Sequence, residues 1–518
     1  MKINRTKNAV RNIIFAGILK IYQIVVPFLI RTAMIYFMGV QYLGLNSLFS
    51  SILQVLNLAE LGVGSAMVFS MYKPIVDDDK DTICALMKLY KVYYRFIGLV
   101  IAVIGLILLP FIPKLINGDV PNGINIYVLY LLNLGATVLS YWLFAYKNSL
   151  LQAHQREDIT SKVTLLTNTI QYSLQLVILI FIKNYYLYVI VILFTQALTN
   201  IVRAVIVTKL YPDYKPEGKL DKKVIKEINH RIRDLFTSKL GGVIVNSVDT
   251  IVISAFLGLT VLAIYQNYYF ILTSIIGFVT IIFNSCIAGI GNSIIVETKE
   301  KNFNDLNKFT FIISWIGGFC TTCFLCLFQP FMDVWVKKES LKLDFSVVIC
   351  FCIYYFVFEI NQLLCAYKDS AGMWHEDRFR TLVTALSNLV MNLIMVQFWG
   401  VYGVILSTVL STLFIGMPWL LHNLFTVLFE KSQLKIYLRK LFFYVFVVFC
   451  GCVLTYLLCL QLPIMSKWMI LIIRAIICCI IPNVIYFVVY IKKQEFKDSI
   501  KLFDKITKGK ISILKKLY

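Results

Sequence analysis

Charge is scarce in this chain. Asp, Glu, Lys and Arg make up 15% of its 518 residues, whereas apolar residues make up 59%. Soluble domains carry about 25% charged residues, so a set of globular domains this long would lack the charge to solvate its surface. Histidine is nearly missing as well. The four residues of this type form no metal-binding spacing, which leaves a His-based metal centre or catalytic triad without material. The stretches between apolar segments are too short for a soluble catalytic domain; the longest, 208–233, is a basic linker. A nucleotide loop is missing too. The two GxG pairs, Gly62 with Gly64 and Gly289 with Gly291, precede no strand. No small-residue cleavage site follows the first apolar run, which is too long for a signal peptide and reads as an uncleaved anchor.

What fills the chain is hydrocarbon. Apolar stretches of about 20 residues, each enough to cross a bilayer core, follow one another almost without pause. They number about fourteen, near 13–38, 43–71, 89–113, 124–146, 162–182, 186–207, 234–256, 264–292, 309–331, 345–366, 379–399, 401–422, 442–462 and 468–491. The net charge of +22 would suggest nucleic acid in a soluble protein. Here nearly all the basic residues fall on one set of alternate connections, so the positive-inside rule explains them and places both termini in the cytoplasm. The lysine-rich tail, 492–518, is expected to lie as an amphipathic segment against anionic membrane lipids. The 13 cysteines sit mostly inside spans. "CTTCFLC", with Cys320, Cys323 and Cys326, has ligand-like spacing but no accompanying histidine, and reads as small-residue packing rather than a metal site.

A repeat organises these spans. "AYKNSLLQAH" (145–154) returns as "AYKDSAGMWH" (366–375). In the same order Lys20 aligns with Lys239, Gly39 with Gly258, Leu43 with Leu262, and "VTLLTN" (163–168) with "VTALSN" (383–388). Six spans separate the copies, so both halves share one orientation, with a pseudo-two-fold axis along the membrane normal. The expected fold is all-α and MATE-like: a six-helix bundle over 1–207, a cytoplasmic linker over 208–233, a second bundle over 234–441, and two further helices over 442–491. A central cavity is expected where the bundles face each other. Lys147, His154, Lys368 and His375 belong to the duplicated phrase at the cytoplasmic end of each fourth span. Residues copied with the scaffold read as scaffold or inner gate.

The charges inside spans are Lys20, Arg31, Glu60, Asp249, Glu359 and Arg474; Lys20 recurs as Lys239, but the deep charges are not copied, Arg31 aligning with Thr250 and Asp249 with Ile30. A basic residue at a helix centre costs about 2.5–3.5 kcal/mol to insert, so such groups should face an interior or an aqueous cavity. Lys20 and Arg31 lie eleven residues apart, close to three turns, and share one face about 16 Å apart along the axis. Pro27 between them should kink the helix. Arg suits phosphate through its forked donors, so Arg31, Lys20 and Arg474 are candidate anion-binding groups. Snorkelling towards the headgroups is the alternative for each. Asp249, Glu60 and Glu359 are candidates for ion coupling or charge relay, or else neutralise these cations. Tyr22, Tyr36, Asn46, Asn246, Gln266 and Asn267 could bind sugar, or bridge helices.

The stretches "YFMGVQYLGLNSLFSSILQVLNLAELGVGSAMVFSMYKPI" (36–75), "VDTIVISAFLG" (248–258), "AGIGNS" (288–293) and "SAGMWHEDRFR" (370–380) resemble the Wzx-type polysaccharide flippases of the multidrug/oligosaccharidyl-lipid/polysaccharide exporter superfamily. The resemblance covers nearly the whole chain. It implies a non-enzymatic flippase in the bacterial cytoplasmic membrane that moves undecaprenyl-pyrophosphate-linked oligosaccharide by alternating access. Capsule, O-antigen or exopolysaccharide repeat units would be its cargo. It also implies a monomer without a cofactor that works beside a polysaccharide polymerase and glycosyltransferases; a Na+ or H+ gradient is an open choice of driving force. The family shares no fixed set of binding residues, so none is carried over. A cation-coupled multidrug exporter of the same superfamily and a membrane glycosyltransferase or polymerase are the competing readings.

Overall fold

The structure is a computed structural model describing residues 5–506 apart from 119, 337, 374, 464 and 465. The side chains of 5–10, 13, 238, 246, 282, 284–288, 505 and 506 also lie outside the description, and with them those of Asn246 and most of the expected membrane-bound tail. The chain divides into two compact units, Met1–Ala263 and Ile264–Tyr518. The division falls inside helix α9, which begins at Lys222.

Ten described helices are long and apolar enough to cross a membrane, or twelve if each of two bent pairs is one span. The first unit holds α1 (Arg5–Phe37), α2 (Val40–Leu56), α3 (Val63–Val76), α4 (Lys80–Leu108), α5 (Ile126–Trp142), α6 (Asn148–Ala153), α7 (Glu157–Val177) and α8 (Tyr185–Leu210), and enters α9 (Lys222–Val296). Side chains accept the free amides that a helix start leaves. Asp79 bonds Thr82 before α4, Asn125 bonds Tyr127 and Val128 before α5, and Asn184 bonds Leu187 before α8. Helix α1 continues through Pro27. Its Ile14, Ile18, Ile21, Val25 and Leu29 are exposed, an apolar face that only hydrocarbon would cover. The protein is a multi-pass membrane protein.

Glycine marks the breaks. Gly39 (φ 122, ψ 160) separates α1 from α2, and its aligned partner Gly258 (φ 87, ψ 173) breaks α9. Both occupy a region of backbone space that is essentially open to glycine alone. The two GxG pairs behave differently. Gly62 is left-handed (φ 86) and starts α3, whereas Gly289 and Gly291 lie inside α9, so the second pair does not end its helix.

The second unit continues with α10 (Lys299–Trp335), α11 (Phe345–Ser370), α12 (Arg380–Ser411), α13 (Met417–Val427), α14 (Lys431–Leu460), α15 (Lys467–Tyr490) and α16 (Gln494–Ile506). Helix α10 is its hub, packed against α11, α14 and α15. Helix α12 breaks at Gly400 (φ 53). The Asn388 amide donates to the Thr408 hydroxyl at 2.9 Å. In a straight helix these residues would stand about 30 Å apart, so the chain reverses at Gly400. In the first unit the matching connection turns at Lys183 (φ 55), after a π-helical turn over Ile178–Ile182.

Candidate functional site

A cavity of about 1150 Å³ lies within the first unit. Its wall is made by polar residues at helical spacing. Helix α8 supplies Gln196, Thr199, Asn200 and Arg203, and α7 supplies Asn168 and Gln171. The entrance of α7 adds Glu157, and α6 adds Asn148 and Gln152. From Glu157 to Gln171 the wall extends about 21 Å along α7 at 1.5 Å per residue. Bonds between helices hold these groups in place. Thr199 donates to Thr167 at 2.8 Å and Thr195 to Gln171 at 2.9 Å. The Asn200 amide donates to the Ser140 carbonyl at 2.8 Å, and the Arg203 guanidinium to Thr164 at 2.6 Å. Glu157 is close enough to Arg203 to interact with its charge.

Glu60 is a second carboxylate lining the cavity. It ends the 3-10 turn Asn57–Glu60, just before left-handed Gly62. The Tyr94 hydroxyl donates to its Oε1, and the Tyr141 hydroxyl donates to its Oε2 at 2.7 Å. Tyr90, one turn from Tyr94 on α4, donates to the Tyr94 hydroxyl at 2.6 Å. Two phenols therefore serve one carboxylate directly, and a third serves it through the second. Charge-assisted bonds of this kind are the strong ones.

Each unit also carries a buried aspartate tied to cations, just after the duplicated phrase. Asp158 is fully buried and faces Arg11 at 3.0 Å, Arg156 at 3.0 Å and Lys162 at 3.6 Å. Its amide donates to Asn12, which itself donates to the Gln155 carbonyl. Asp377 takes two bonds from Arg380, at 2.6 and 2.8 Å, with Lys368 at 3.6 Å and Asn423 at 3.3 Å. The phrase itself folds in two ways. Its first copy follows left-handed Phe144 in a 3-10 turn, where the helix bends by 48°. The first half of its second copy, Ala366–Ser370, forms the last turns of α11. Lys147 bonds Thr208 at 2.6 Å, while Lys368 bonds Asp369 at 2.6 Å. His154 is buried, with Nδ1 2.8 Å from the Leu150 carbonyl and its ring 4.4 Å from that of Tyr211. His375 is exposed. Burial holds the His154 imidazole below its ordinary 6.5.

The other sequence candidates do not share the cavity wall. Arg31 and Lys20 are half-buried on α1, and Arg31 is close enough to Tyr188 to interact electrostatically. Asp249 is buried in the first unit. In the second unit, Glu359 is fully buried beside Tyr355 and Cys320. Arg474 donates to the Cys326 carbonyl at 3.3 Å and stands beside the thiols of Cys459 and Cys478. Tyr22 bridges to Thr169 at 2.9 Å, the helix-bridging alternative for that residue. Arg203, Asp158, Asp377 and the amide wall were not singled out in the sequence. The amides had a signal: residues 196, 199, 200 and 203 recur at i, i+3, i+4 and i+7, a polar stripe inside an apolar run.

The second unit contains an apolar groove of about 1020 Å³ between α10, α11, the turn into α13, and α14. Leu325, Phe356, Phe414, Leu421, Val445 and Phe449 are among its lining residues.

Solved structures share this architecture. The lipid II flippase MurJ, in an inward closed conformation, is 14% identical over 92% of this chain and 99% of its own, with a TM-score of 0.67. An inward-facing multidrug resistance MATE family transporter of the MOP superfamily is 15% identical over 79% of this chain and 95% of its own, with a TM-score of 0.63. At that identity the likeness establishes the fold, which is that of the MOP-superfamily transporters. The family model described as "polysaccharide biosynthesis protein" matches residues 9–287, more than half of the chain, and the chain belongs to that family. No curated protein sequence matches it.

Proposed function

We propose that this transporter flips a polyprenyl-pyrophosphate-linked oligosaccharide across the bacterial cytoplasmic membrane. The observation that carries this reading is the cavity wall. It exceeds the roughly 300–1,000 Å³ of a small-molecule pocket, and neutral amides, phenols and hydroxyls line most of it. Such groups match sugar hydroxyls donor for acceptor. A cation exporter would want free carboxylates, but Glu60 is already met by two phenols, and Glu157 stands near Arg203. The apolar groove in the second unit supports a substrate that carries a hydrocarbon tail. Arg31 and Lys20 on α1 are the proposed pyrophosphate ligands. Asp249 and Glu359, which lie off this wall, are the proposed coupling groups for a Na+ or H+ gradient. Both termini then lie in the cytoplasm, where glycosyltransferases load the lipid, and a polymerase takes the glycan outside. The protein works as a monomer, and the transport step itself uses no cofactor.

Depletion of the protein in its host, followed by lipid extraction, tests the reading. Lipid-linked repeat units should accumulate on the inner leaflet, and their absence overturns it. Arg31→Ala should abolish surface polysaccharide at an unchanged protein level. Unaltered polymer removes Arg31 from the mechanism.

A further inference from the structure

Among the described residues, three thiols from three separate helices meet in the second unit. Cys326 on α10, Cys459 in the last turn of α14 and Cys478 on α15 are each fully buried, and their sulfur atoms all lie within 4.8 Å of one another. Cys323, one turn before Cys326, packs on the same cluster beside Cys478. Read within α10 alone, "CTTCFLC" looked like small-residue packing. Packing explains small residues at a helix crossing, but it does not require each helix to present a sulfur to the same point.

We propose that Cys326, Cys459 and Cys478 form a Zn2+ site as three thiolates, with the Cys323 thiol placed to fill the fourth position while keeping its proton. Zn–S bonds of about 2.3 Å put tetrahedral sulfurs about 3.8 Å apart, so the widest edge of the cluster needs to close by only about 1 Å. Thiolate sets of this kind select soft closed-shell ions. The charge balance singles out zinc. Binding releases one proton from each of three thiols, and Zn2+ with three thiolates carries a net charge of −1. The Arg474 guanidinium beside Cys459 and Cys478 supplies +1, leaving the buried assembly neutral, as a low-dielectric site requires. Nε of Arg474 is buried and makes no hydrogen bond among the described residues, so this cation has a donor to spare. Cys459 lies one residue from the end of α14, which places the site next to a connecting loop and gives the ion a way in. The metal would bind α14 and α15, the helices outside the duplicated twelve, to hub helix α10.

The test uses the purified full-length protein in detergent, reduced with a phosphine, loaded with Zn2+ and desalted. Wild type should retain one zinc per chain by elemental analysis. Co2+ in its place should give the sulfur charge-transfer absorption of a thiolate site. Cys459→Ser and Cys478→Ser should reduce retained metal to background, while Cys350→Ser, on α11 outside the cluster, should retain it in full. Arg474→Gln leaves every sulfur in place and should weaken retention at least tenfold, with Arg474→Lys restoring it. Each variant is compared only if it elutes as the wild type does. No zinc on the wild type, equal zinc on Cys459→Ser and Cys478→Ser, Cu+ taken up in preference, or a disulfide between two of the three sulfurs would each overturn the assignment.

Discussion

Glu60 and its three tyrosines separate two roles that one carboxylate can play. Replacing it with alanine strands the Tyr94 and Tyr141 hydroxyls without their acceptor. Bonds to a charged group are worth about 1.5–3 kcal/mol each, so Glu60→Ala should lower the melting temperature in detergent measurably. Glu60→Gln keeps an acceptor and should melt near wild type. If it also loses glycan export, the charge itself is used; if export persists, Glu60 is structural. Asp377 has a sharper expectation. Removing one partner of a buried ion cluster costs about 3–5 kcal/mol, so Asp377→Ala should destabilise strongly, and Asp377→Asn less. His154 predicts the pH dependence. Its folded value is depressed by burial, so the unfolded chain takes up the proton first as pH falls below 6.5. The stability from His154 is complete above that value and is lost as pH drops through the lower folded value. His154→Phe keeps the stacking on Tyr211 and should flatten melting temperature against pH across that window. Residue roles were the least legible part of the sequence. The cations around Asp158 and Asp377 sit in basic connections, where every Lys and Arg already had a topological reason to be present, so composition could not mark them as partners.

At the scale of elements, the glycine breaks carry the folding instructions. Gly39 and Gly258 share a glycine-only conformation but not a neighbourhood. A Cβ at Gly39 meets nothing within 4 Å, whereas one at Gly258 would stand 2.6 Å from the Asn117 carbonyl. Gly39→Ala should therefore cost the backbone strain alone, about 1–3 kcal/mol, and Gly258→Ala clearly more, read as the difference between their melting temperatures. These breaks were legible because both glycines fall between apolar runs and align across the repeat. The conformation of the repeated phrase was not. Ala145–Lys147 and Ala366–Lys368 have the same three residues, yet one triplet is a 3-10 turn and the other continues an α-helix. The difference begins upstream, at left-handed Phe144, and no local pattern announces it.

Over the whole molecule, hydropathy alone recovered the span order, because a bilayer tests every segment for the same property. The amide wall was half-visible as a stripe at helical spacing. The thiol cluster was hidden, since its members come from helices far apart in sequence. The two aspartate clusters also differ in reach. Asp377 is held by Lys368, Arg380 and Asn423, the farthest of them 46 positions away, whereas Asp158 is held by Asn12 across 146 positions and by neighbouring Arg11. A ribosome adding about 5–20 residues per second needs on the order of ten seconds to deliver Asp158 after Asn12 has emerged. During that interval α1 must reside in the bilayer without its docking partner α7. The first helix is thus a lodger awaiting its neighbour, and the newborn chain is most exposed to proteolysis or misinsertion before its first third has been translated.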